Sequence, residues 1–119
     1  MILPSYSVVD TNWFIGVFEG RETLPTTQLH SIVTRIELLS RRGLDGSEIA
    51  SVQSFLASSE EIGLTDAIAQ RAAELRRTFG GKLPDAVVAA TAELYEAPLL
   101  TLDRGMVRYA SVVSLPALD

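Results

Sequence analysis

Short apolar runs, each too brief for a helix, alternate along this chain with stretches of helical periodicity, and that alternation restricts the fold more than any other feature. Residues 6–9 form a β-prone run that stops at Asp10-Thr11-Asn12, and Trp13-Phe14-Ile15-Gly16-Val17-Phe18 follows, apolar on nearly every side. The pattern predicts strand, turn and buried helix. Gly20 and Pro25 bracket a loop, residues 29–33 read as a second strand, and residues 34–42 as a helix that Gly43 ends. From Gly46 or Ser47, the positions Ile49, Val52, Phe55 and Leu56 follow helical spacing, and residues 60–64 predict a short third strand. Ile68, Ala72, Leu75 and Phe79 recur on one face of another helix, which Gly80-Gly81 breaks. Pro84 opens a helix rich in small residues, 86–97, and Pro98 ends it. Residues 99–102 read as a fourth strand, 104–110 as a short helix and 111–115 as a last strand. Continuous apolar strands between helices predict a three-layer α/β/α domain spanning residues 1–119, with a central, mostly parallel sheet of about five strands covered on both faces.

Composition narrows the chemistry. The chain has no cysteine, which removes disulfides, thiolate metal sites and cysteine nucleophiles, and its single histidine, His30, leaves no polyhistidine zinc site. Carboxylates are the remaining candidates. Ten basic and fifteen acidic residues leave a net charge of −5, the wrong sign for holding nucleic acid by bulk charge. Nine of the ten basic residues are arginines, suited to bidentate phosphate contacts, so their placement matters more than their number. No apolar stretch reaches the roughly 18 residues of a spanning helix, and the N-terminus lacks the basic start of a secretory signal, so a cytoplasmic location is expected.

In open parallel sheets, ligands gather beyond the carboxyl ends of the strands. Asp10 and Asp103 fall there, and Glu37 and Asp85 fall near helix starts. Each has a purely structural alternative. Asp10 or Asn12 caps the next helix; Glu37 stands at capping-box spacing from Thr34; Asp85 complements a helix dipole; Asp103 caps the short helix behind it. As a set, four separated acids also suit one or two hard cations, Mg2+ or Mn2+, held against a phosphodiester.

The segments Val8-Val9-Asp10-Thr11-Asn12, Ser31-Ile32-Val33-Thr34-Arg35-Ile36-Glu37-Leu38, Leu83-Pro84-Asp85-Ala86 with the small residues that follow, and Leu99-Leu100-Thr101-Leu102-Asp103 resemble the four successive signatures of the PIN domain, in the family's order. The length resembles the VapC-type toxins, ribonucleases encoded with a cognate antitoxin. The resemblance implies that Asp10, Glu37, Asp85 and Asp103 are the catalytic, metal-binding acids of a Mg2+- or Mn2+-dependent endoribonuclease, with Thr11 and Asn12 in support. It also implies a VapB-type antitoxin partner and a homodimer. Where many relatives carry a further acid or polar residue beyond the fourth acid, this chain has Arg104-Gly105-Met106.

Arg76, Arg77, Lys82 and Arg104 flank two of the acids and are candidate RNA contacts, as is Arg108; an ordinary solvated surface is the alternative for each. Trp13, Phe14 and Phe18 supply more large apolar surface than one short helix needs, for either full burial or a groove that accepts a partner helix. Two other functions fit an α/β chain of this size. One is a PIN-like domain that binds RNA or a partner without cutting; the other is a receiver-like signalling domain with Asp66 as phosphoacceptor, against which Thr11-Asn12 after Asp10 argues.

Overall fold

Val8 and Val9 are adjacent, both wholly buried, and belong to different hydrophobic cores. That is the signature of a strand covered on both faces, because successive side chains point to opposite sides of a sheet. The computed structural model describes residues 3–118. Its strands are β1 (Tyr6–Val9), β2 (Thr27–Ser31), β3 (Glu60–Ile62) and β4 (Leu99–Leu100), in the order β3-β2-β1-β4 with every pairing parallel. Val8 lies opposite Leu29 on one side and Leu99 on the other.

On one face, Trp13 and Phe14 of α1 (Thr11–Phe18), Leu38 of α2 (Ile32–Leu39), and Val52 and Leu56 of α3 (Gly46–Ala57) pack on Val9 and Leu100. On the other, α4 (Asp66–Phe79) and α5 (Leu83–Leu94) cover Val8, Leu29 and Leu99. All residues of α5 from Ala86 to Ala92 are buried, and their small side chains let the helix sit close to both the sheet and α4. A 3-10 helix, Arg104–Tyr109, adds buried Met106 and Tyr109 to this second core. The architecture is therefore the expected three-layer α/β fold with a parallel sheet.

Among the described residues, four strands form where about five were expected. Residues 111–113 make a turn and 114–115 are irregular instead, because the N–H groups of Val112 and Val113 both donate to Tyr109 O at 3.0 Å, so they are spent before a ladder can start. One bond, from Leu99 N–H to Ser114 O at 2.9 Å, ties this segment to the sheet. The apolar alternation there reflects Val113 and Leu115 plugging the core. The second helix also starts earlier than its sequence suggests: Ser31 caps α2 by accepting from Val33 N–H at 3.1 Å. Thr34 is thus inside the helix and buried, and the Thr34–Glu37 capping box does not form; the capping box of this chain is Asp45 with Glu48 at α3. The small-residue helix stops at Leu94 rather than Ala97: Glu96 takes a positive φ of 51° and Ala97 N–H turns back to Ala92 O.

Candidate active site

Because every strand runs the same way, the ends of β1, β2 and β4 open on one edge of the sheet, and the chain enters α1, α2 and the 3-10 helix from that edge. Asp10, Thr11, Asn12, Ile15, Glu37, Lys82, Pro84, Asp85 and Asp103 line a single cavity there of about 280 Å³. Four carboxylates that are far apart in sequence thereby share one space.

Each is held differently. Asp10 follows β1 and caps α1: Oδ1 accepts from Thr11 N–H at 2.8 Å, and Oδ2 accepts from the Thr101 hydroxyl at 2.8 Å. Glu37, in the second turn of α2, accepts from the Thr11 hydroxyl at 2.6 Å. Asp85 occupies the first turn of α5 beside Pro84. Asp103 caps the 3-10 helix, its Oδ1 accepting from Gly105 N–H at 2.8 Å. Capping and cavity lining are thus not alternatives for Asp10 and Asp103; each does both.

Electrostatics records the crowding. Burial pushes the Asp10 carboxyl up to about 6; bonds from Thr101 and Thr11 oppose this, and the charges of Glu37 and Asp85 add to it. Asp85 is also raised, by burial first and then by Asp103 and Glu37, against the pull of Lys82 and Arg108. Among the described residues, no three of these side chains draw tightly enough together to enclose an ion on their own.

Thr101 is the residue that inspection of the acids misses. Its buried hydroxyl donates to Asp10 and accepts from Asp103 N–H at 3.1 Å and Asn12 Nδ2 at 3.3 Å. Asn12 Oδ1 in turn accepts from Leu102 N–H at 2.8 Å. Side chains replace a neighbouring strand as hydrogen-bond partners here, which is why β4 ends at Leu100. The only signal in the sequence is a threonine embedded in an apolar run two residues before an acid.

The predicted surface residues divide. Lys82 lines the acid cavity; Arg76 and Arg77 instead line a groove between α4 and α5, with Leu64 and Leu83 exposed at its rim. Arg104 is exposed immediately after Asp103. Trp13 and Phe14 are 1% and 0% exposed, with Trp13 Nε1 donating to Thr23 O at 2.8 Å and Phe14 set edge-on to His30. Full burial wins over the partner groove for these two. Phe18 is half-buried in a groove of about 500 Å³ with Val17, Arg41, Val52 and Phe55. Asp66 lies on the surface in the first turn of α4, bonded to Gln70, behind an edge strand and outside the acid cavity.

Solved structures share this fold. A toxin–antitoxin complex from Klebsiella pneumoniae aligns with TM-score 0.72 and 28% identity, over 82% of this chain and 86% of that one. VapBC2 from Rickettsia felis, bound to a promoter DNA fragment, aligns with TM-score 0.78 and 16% identity over 92% and 96%. VapBC-5 from Mycobacterium tuberculosis aligns with TM-score 0.70 and 22% identity over 94% and 96%. No curated protein matches the sequence. The family model of the PIN domain matches residues 7–112, from β1 to the turn beyond the 3-10 helix, and the chain belongs to the PIN domain family.

Proposed function

We propose that this protein is a divalent-metal-dependent endoribonuclease that hydrolyses RNA phosphodiester bonds, acting as the VapC-type toxin of a toxin–antitoxin pair in the cytoplasm. The observation that carries the reading is the convergence of Asp10, Glu37, Asp85 and Asp103, from four separate elements, on one cavity. Their donor chemistry fits Mg2+ or Mn2+, hard cations that prefer carboxylate oxygens and retain several waters. A cation held there would supply Lewis-acid charge and an activated water.

The chain's own residues set up the rest. Thr11 fixes the carboxylate of Glu37, Thr101 fixes that of Asp10, and Lys82 offers a positive group to a phosphate at the mouth. Arg108 is near enough to pull on the Asp85 carboxyl and extends that positive side. Arg104 is a second contact on the Asp103 side, while Arg76 and Arg77 face a groove of their own. With Arg104-Gly105-Met106 where many relatives place another ligand, one tightly held cation is the reading favoured over two. The related toxin–antitoxin complexes support an antitoxin as partner. The groove around Phe18 is the open apolar surface of α1 and its candidate seat, and a homodimer is what the resemblance to VapC-type toxins implies.

The test uses purified protein, mixed structured RNAs and either Mg2+ or Mn2+, followed by chelator. Cleavage should require the metal and fall at least 100-fold in Asp85→Asn, with the circular dichroism spectrum retained. Cleavage that survives chelator or the substitution overturns the reading. Metal-independent RNA binding without cleavage would favour a non-cutting PIN-like scaffold instead.

A further inference from the structure

Between α4 and α5, three consecutive backbone carbonyls are each taken by a long side chain. Arg108 Nη1 donates to Phe79 O at 3.4 Å, the Tyr109 hydroxyl to Gly80 O at 2.9 Å, and Arg76 Nε to Gly81 O at 3.2 Å. The turn they hold leads directly into Lys82 and Asp85. Two of the three donors sit on the 3-10 helix that Asp103 caps, and Arg108 Nε also bonds Gly105 O at 2.9 Å within that helix. The turn is shaped for this contact. Gly80 and Gly81 have φ of 75° and 97°, values that L side chains rarely adopt, and a Cβ built on Gly81 would overlap the Tyr109 hydroxyl and stand 3.0 Å from Arg108 Cδ. Tyr109 itself is fully buried, with its ring edge-on to Phe79.

We propose that Tyr109 is a positioning residue for the acid site: by clamping the 79–81 turn to the 3-10 helix, it sets Asp85 relative to Asp103. Neither acid touches Tyr109 through a hydrogen bond; the coupling runs through the turn on one side and the helix cap on the other. The proposal rests on the metal-site reading only for its consequence, since the clamp can be tested without metal.

Tyr109→Phe removes the hydroxyl and keeps the ring. In metal-free protein, amide hydrogen exchange should accelerate by roughly three- to tenfold, the effect of one lost hydrogen bond, at Ala86, whose N–H bonds Lys82 O, and at Gly105, whose N–H bonds Asp103 Oδ1. Exchange at Val8 and Asp10, bonded to Pro98 O and Leu100 O, should not change. Gly81→Ala pushes on the clamp from the other side and should give the same local pattern, which keeps the test available if one variant fails to fold. Exchange that is unaltered, or that rises equally at Val8 and Asp10, overturns the clamp. Titration with Mn2+ alone, followed by its electron paramagnetic resonance signal, should show affinity weakened about three- to tenfold in Tyr109→Phe; unchanged affinity overturns the coupling to the acids. A wild-type protein with no saturable Mn2+ site would instead retire the metal reading and leave exchange to decide the clamp.

Discussion

Asp10 accepts two good hydrogen bonds and its carboxyl still titrates near 6, because its burial outweighs them and two further acids face it. That has a direct consequence for stability. The folded carboxyl binds a proton more readily than the unfolded one, whose ordinary value is 3.8, so between these values the folded state holds the extra proton. In chelator, stability should therefore rise as pH falls from about 7 through 6 towards 4, by about 2–3 kcal/mol from this residue. His30 acts in the opposite sense in this range: burial lowers its imidazole, so the folded state resists the proton that the unfolded chain takes up below about 6.5, and the net gain is smaller. Arg35 lowers the Glu61 carboxyl, so that pair loses stability only at more acid pH, below the ordinary carboxylate value. Asp10→Asn should be more stable than wild type at pH 7 and should flatten the profile, as thermal melts at pH 7 and 5 would show. Parallel profiles for the two proteins would refute the account. The acid was visible in the sequence; the size of its pKa rise was not, since it depends first on burial by the packed chain and then on charges at positions 37 and 85 arriving from other elements.

α1 shows how far periodicity can be read at the level of one element. A short helix whose residues 13–18 are apolar on nearly every side was recognisable from its sequence, but whether its large side chains serve a core or a partner depends on what α3 and the 21–25 loop place beside it. The answer splits the helix: Trp13 and Phe14 are core, and Phe18 stands half-open, edge-on to Phe55 at 4.9 Å between ring centroids and beneath Arg41. Trp13→Ala should cost about 3–5 kcal/mol, read as the shift in urea-unfolding free energy; a loss below about 1 kcal/mol would contradict the burial. A charged residue at Trp13 would thus test folding rather than partner capture, and Phe18 is the position for the latter. α5 divides in the same way. Pro84 in its first turn announced where it starts and its run of small residues was legible, while its enclosure, with all seven residues from Ala86 to Ala92 buried, came from the packing of the sheet and α4 around it.

For the whole molecule, a net charge of −5 with four carboxylates gathered on one sheet edge makes the metal-free state self-repelling at one spot. A cation that binds only the folded form should raise stability by mass action, about 2.7 kcal/mol at a hundredfold excess over its Kd. The melting temperature should rise with Mg2+ in wild type and not in Asp85→Asn; an equal rise in both would place the ion elsewhere. The order of elements, the two-sided burial of the strands and the four acids after or beside them were all written into local sequence, because strand and helix periods and turn chemistry act over a few neighbouring residues. The sheet's last strand, the start of α2 and the partners of Thr101 were not. Each turned on which donor reached which acceptor first, Tyr109 O for Val112 and Val113, Ser31 Oγ for Val33, Thr101 Oγ1 for Asp103, and these outcomes depend on capping geometry and on contacts across tens of residues that only the packed chain decides.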